Sequence, residues 1–159
     1  MRSFFLSILL AGTIGLTALA QDIKDVEGSW IAEINEFSSL EDYRQASLTL
    51  KWESEGERYR YTFQIPMREL ESYSVEESRN DPANFELDRE AGHLSFSGTM
   101  DDDIGSGKFH FSANSEFVEE MSTLGYENIS PDEQLKMAIY DVTAEFVKRL
   151  REMNGDSQS

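Results

Sequence analysis

The chain is built for an α+β domain: an antiparallel β-meander sheet or half-barrel of about six strands, followed by a three-helix C-terminal segment. Two patterns carry this expectation. Between Trp30 and Phe111 the apolar residues recur at alternate positions, the period of a sheet with one wet face. After Phe111 the spacing changes to three and four, the period of helices that pack along one stripe.

Val26 to Ile34 opens the sheet. Trp30, Ala32 and Ile34 alternate, and Gly28 with Ser29 is expected to form the turn leading in. Asn35 to Tyr43 is polar and reads as a loop. Ala46, Leu48, Leu50 and Trp52 alternate with Ser47, Thr49 and Lys51 in a second strand. Glu53 to Glu57 turns around Gly56, and Tyr59, Tyr61, Phe63 and Ile65 make a third strand, which Pro66 ends. Met67 to Tyr73 has room for one or two helical turns, and Ser74 to Pro82 is an acidic loop. Phe85 with Leu87, Leu94 with Phe96, and Phe109 with Phe111 then mark three antiparallel strands. Gly92 is placed to close one turn and the run Asp101–Gly107 the next.

Three helices follow. Asn114 or Ser115 can cap the first, which carries Phe117, Val118, Met121 and Leu124 and stops at Gly125. Ser130-Pro131-Asp132-Glu133 is a strong start signal, with proline in the first turn and Glu133 placed for a capping box. The stripe of that second helix is Leu135, Ala138, Ile139 and Val142. Thr143 can cap the third, which carries Phe146, Val147, Leu150 and Met153, with Gly155 beyond it. The first and third helices repeat at a spacing of 29, Phe117 aligning with Phe146, Met121 with Leu150 and Leu124 with Met153.

Residues 1–20 read as a signal peptide. Arg2 supplies the positive start, Phe4 to Leu19 is apolar apart from small residues and hydroxyls, and Ala18-Leu19-Ala20 is a small-x-small cleavage site. The apolar run is too short to anchor a protein in a bilayer. The expected organisation is a β domain over 21–112, a helical tail over 113–155 and a disordered end at 156–159, exported to the periplasm or the exterior with no membrane span after cleavage. Absence of cysteine excludes thiol chemistry and thiolate metal sites. With 14 basic and 31 acidic residues and a net charge of −17, the chain repels nucleic acid and anionic lipid.

The candidate sites are few. His93 and His110, the only histidines, fall with Glu86 and Asp88 on the polar face if Ser95 pairs with His110, and four such groups can ligate zinc or serve as plain cross-strand pairs. Asp101-Asp102-Asp103 lacks the spacing of a calcium loop and reads as a solvated turn. No Gly-x-Ser-x-Gly elbow, catalytic motif or cofactor motif is present. Gly28-Ser29-Trp30 looks like the Gly-x-Trp that starts lipocalin barrels. On that likeness Trp30, Trp52, Tyr59, Tyr61 and Phe63 would line a ligand cavity in a calycin-like half-barrel, the alternative being that these aromatics are core.

A second resemblance rests on Gly105-Ser-Gly-Lys-Phe-His-Phe, Leu124-Gly125-Tyr126, Ser130 to Leu135, and Asp141-Val142-Thr143 with Phe146. These motifs resemble a bacterial extracytoplasmic module, a small β domain with Leu-Gly-Tyr and Val-Thr-x-x-Phe helical repeats, found as tails of BlaR1-type membrane metallopeptidases and as stand-alone exported proteins. The chain lacks the His-Glu-x-x-His of those peptidases, so peptidase activity does not carry over. The resemblance implies a non-catalytic interaction or regulatory module whose partner is another extracytoplasmic protein. An unfinished helical repeat leaves an apolar end to be covered, which makes Tyr126, Val142, Phe146, Leu150 and Met153 the expected contact residues.

Overall fold

Six strands of eight to ten residues form one antiparallel sheet: β1 (Val26–Asn35), β2 (Gln45–Ser54), β3 (Glu57–Pro66), β4 (Pro82–Arg89), β5 (Gly92–Asp101) and β6 (Ile104–Ala113). Three helices follow, α1 (Ser115–Thr123), α2 (Pro131–Ile139) and α3 (Ala144–Asp156). The computed structural model describes residues 25–35, 44–70 and 82–156. The signal-peptide assignment, the loops over 36–43 and 71–81 and the chain end at 157–159 lie outside those residues.

The strand order is β3-β2-β1-β6-β5-β4. It consists of two three-stranded meanders joined where the first strand pairs antiparallel with the last. Closing β3 onto β4 would complete a barrel, but the sheet is open there. Its two edge strands carry charge on their outward positions, Arg58 and Arg60 on β3 and Glu86 and Asp88 on β4, a composition that discourages pairing with other chains.

Register explains the core. One inward row runs Phe85–Phe96–Phe109–Gly28–Trp52–Tyr59 across all six strands. Phe85 stacks on Phe96 at 4.4 Å and Trp52 on Tyr59 at 5.2 Å. At the middle of the row Gly28 carries no side chain, and the Phe109 ring fills that space: a Cβ on Gly28 would lie 2.5 Å from Phe109 Cε1. The next row is Ala83–Gly98–Gly107–Trp30–Leu50–Tyr61. Trp30, 1% exposed, lays its indole over the bare glycines of β5 and β6. A Cβ on Gly98 would lie 2.8 Å from Trp30 Cζ2, and one on Gly105 2.9 Å from Cζ3. The ring meets Phe85 edge-on at 5.1 Å, and its Nε1–H donates to the Ser97 carbonyl at 3.1 Å.

These glycines correct two sequence readings. Gly28 and Ser29 do not form a turn; both lie inside β1, where Gly28 faces Phe109 and Trp52. The turn after β5 is only Asp102–Asp103, with Asp102 at φ 51°, and Gly105 and Gly107 belong to β6. Glycine in a sequence signals a chain reversal, and at Gly28 and Gly105 it is instead the floor under an aromatic side chain. The expected helical turns after Pro66 are one short 3₁₀ turn, Met67–Glu69.

The helices cover the inward face. Ser130 and Glu133 form the anticipated capping box at the start of α2. Asp132 accepts from Trp52 Nε1 at 2.6 Å and from the Ser54 hydroxyl, which ties α2 to the end of β2. Gln134, 2% exposed, donates to the carbonyls of Ala91 (2.7 Å) and Asn114 (2.6 Å), which holds the other meander. Lys136 lies 4.5 Å over the Tyr59 ring, and Leu135, Ala138 and Ile139 complete the core. α2 ends at Ile139, so Val142 belongs to the link that follows, and Thr143 caps α3 by accepting from the Phe146 N–H. α3 continues through Gly155 to Asp156, where a stop at the glycine was expected.

Two outcomes test this account. Gly107→Ala drives a methyl into the Ser97 backbone and is expected to cost about 2 kcal/mol in urea unfolding, within the range for overpacking. The Glu133 carboxyl is held below the ordinary carboxylate range, first by the Ser130 backbone N–H and then by the Ser130 hydroxyl. A lowered native pKa means that its stabilising contribution is present above the unfolded-state value and fades as pH falls through the native one. A carboxyl NMR titration should find Glu133 below its value in the unfolded chain, and Ser130→Ala should raise it.

Candidate functional site

The register places Ser95 opposite His110, the condition under which the two histidines and two carboxylates share a face. They share the face as two separate pairs. His93 Nδ1 meets Asp88 Oδ1 at 2.5 Å across β4 and β5, and His110 Nε2 meets Asp25 Oδ2 at 3.1 Å. Ser112 donates to the other oxygen of Asp25 at 3.2 Å, and Glu86 joins neither pair. Among the described residues no three His, Asp or Glu side chains gather as a metal site. Asp25, the partner of His110, was not identifiable in advance because it precedes the first strand and carries no periodic signal.

The aromatics proposed as cavity lining are packed against one another. Trp30 and Trp52 are buried, and Tyr59 and Tyr61 stack on Trp52 at 5.2 and 5.4 Å. Tyr59, Tyr61 and Phe63 are half-buried against the core. The inward face thus presents side chains to α2, and Tyr61 meets Tyr140 of the α2 end edge-on at 6.3 Å.

The helical tail behaves differently. α1 turns Phe117 and Met121 into the core, each 1% exposed. Their counterparts on α3, Phe146 and Leu150, are 49% and 43% exposed, and Met153 is 69% exposed. The reason is a rotation of the buried face: α3 buries Ala144 and Val147 in place of Phe146 and Leu150. Glu90 accepts from the Ala144 N–H at 3.1 Å and holds the start of α3 on the β4–β5 turn, beside the Arg89–Asp141 pair at 3.5 Å. With Ala144 and Val147 facing in, residues 146, 150 and 153 fall on the outward side at the spacing of a single stripe.

Tyr126 is also exposed. It follows the end of α1, where Arg151 of α3 donates to the Leu124 carbonyl and ties the Leu-Gly-Tyr segment to α3. Val142 departs from the expected group: it packs against the core, and its N–H donates to the Met137 carbonyl at 2.9 Å. Tyr140, exposed at the end of α2, is an aromatic that the stripe analysis passed over, because it falls off the apolar face of that helix.

Comparison with protein-family models, with curated proteins and with solved structures finds no match. No helix among the described residues is long and apolar enough to cross a membrane.

The two aligned helices offer a direct test. Phe117→Ala is expected to cost about 3–5 kcal/mol, as for a fully buried ring. Phe146→Ala, at the equivalent position, should cost less than about 1 kcal/mol, as for a surface change. Parallel urea melts measure both. Equal losses would mean that the α3 stripe is buried in solution.

Proposed function

We propose that this chain is an exported, non-catalytic module that binds another extracytoplasmic protein through the outward stripe of α3 together with Tyr126. The observation that carries this reading is the exposure of Phe146 and Leu150 at positions where α1 buries Phe117 and Met121, with Met153 exposed on the same stripe. An apolar stripe left outward on a helix that is otherwise held in place is the usual form of a helix-face recognition surface. Aromatic and methionine side chains are enriched in the centres of such interfaces. Export is supported by the leader pattern of residues 1–20. The filled inward face, with Trp30 and Trp52 buried and stacked, weighs against the small-molecule carrier reading.

The partner is expected to present an apolar groove. Arg149 flanks the stripe and is paired within the helix to Glu145 at 3.3 Å. A photocrosslinking amino acid placed at residue 146 in the native host should capture one protein. The same group at residue 104, an equally exposed apolar position at the β5–β6 turn, should capture none of it. Phe146→Asp with Leu150→Asp should abolish the crosslinked complex while the melting temperature moves by no more than about 4 °C. Identical capture from both positions would remove α3 as the contact surface.

A further inference from the structure

The outward face of the sheet carries a second feature, independent of α3. A groove of about 850 Å³ crosses β4, β5, β6 and β1. Asn84, Ser97 and Lys108 line one side of it, and Glu86, Ser95, His110 and Glu27 the other. Between these two rows lie Phe85, Phe96 and Phe109, whose rings are buried on the inward face, so the strand backbones form the floor.

The side that contains Lys108 does not end with the groove. In register it continues as Ser29 on β1, Lys51 on β2 and Arg60 on β3. Lys51 and Arg60 are direct cross-strand partners, a like-charge arrangement that weakens a sheet. Acidic residues outnumber basic ones by 31 to 14 in this chain, yet among the described residues no carboxylate forms an ion pair with Lys51, Arg60 or Lys108. The nearest acid on β2, Glu53, lies opposite Arg58, one outward row away. Alongside this row run Thr99, Ser106, Ile31, Thr49 and Thr62, hydroxyls on either side of one isoleucine, with Thr49 and Thr62 bonded to each other at 2.8 Å.

We propose that this row binds an anionic, hydroxyl-rich chain of the sugar-acid type. Carboxylates of the ligand would lie on Lys108, Lys51 and Arg60, and its hydroxyls on Ser29, Ser97 and Asn84. From β6 to β3 the cations span three inter-strand steps of about 4.8 Å each, the reach of a few linked sugars. Among the described residues the outward face of the strands carries no Phe, Tyr or Trp side chain, the large rings on which nucleic-acid bases stack. At physiological salt charges more than about 8 Å away are largely screened, so the local field is set by these cations and by the carboxylates of the adjoining outward row, Glu27, Glu53 and Glu86.

The test is an amide NMR titration of the whole protein with three probes: tetragalacturonate, maltotetraose as the neutral chain of equal length, and inorganic phosphate as a bare anion. Tetragalacturonate should shift the amides of Ser29, Lys51, Arg60 and Lys108 saturably, and neither comparator should do so at equal concentration. Lys51→Gln with Arg60→Gln should weaken binding about tenfold or more, as for lost charge-assisted hydrogen bonds. The same variant should keep or raise the melting temperature, since the like-charge pair is gone. Equal binding of maltotetraose or phosphate, an affinity unchanged in the double variant, or no saturable shift would overturn the proposal.

Discussion

Everything in this fold depends on one packing event, the laying of Trp30 across the glycines of β5 and β6. β1 is the strand that joins the two meanders, and its central inward residue is too large for a row of ordinary neighbours. Gly98 and Gly105 supply the space, and the indole N–H finds the Ser97 carbonyl in return. The first and last strands pair because this side chain has somewhere to go. Gly28 does the same for Phe109 one row away, so the aromatic row reaches from β4 to β3 with a glycine at its centre.

With the sheet fixed, α2 determines what remains outside. Its polar residues bind both meanders, Asp132 the end of β2 and Gln134 the carbonyls of Ala91 and Asn114. The helix fills the inward face that a closed barrel would otherwise enclose. A bound small molecule would have to displace Leu135, Ala138 and the stacked Trp52, Tyr59 and Tyr61. The apolar surface left over is on α3, turned outward because Ala144 and Val147 already occupy the core side.

Much of the architecture was legible from periodicity. Alternation located six strands, and the change of spacing after Phe111 located three helices with the caps at Asn114, Ser130 and Thr143. Pairing between β1 and β6 was not legible, because no local pattern links strands so far apart in sequence. Strand glycines were misread as turns, since glycine signals a reversal and a vacancy equally well. The stripe Phe146–Leu150–Met153 was visible in the sequence, but its direction was not. The alignment with α1 does not show which way the stripe turns; the anchoring of Ala144 by Glu90 on a distant turn sets it outward. Val142, grouped with the contact residues through the unfinished repeat, packs half-buried against the core.

The central claim is that the outward helix face, rather than the inward sheet face, carries the binding function. Native mass spectrometry of the protein purified from its own envelope fraction tests it most directly. The account predicts a species whose mass equals residues 21–159 plus a second polypeptide, lost on replacing Phe146 and Leu150 with aspartate. A species without a second polypeptide, or a complex unchanged by that replacement, would contradict the account.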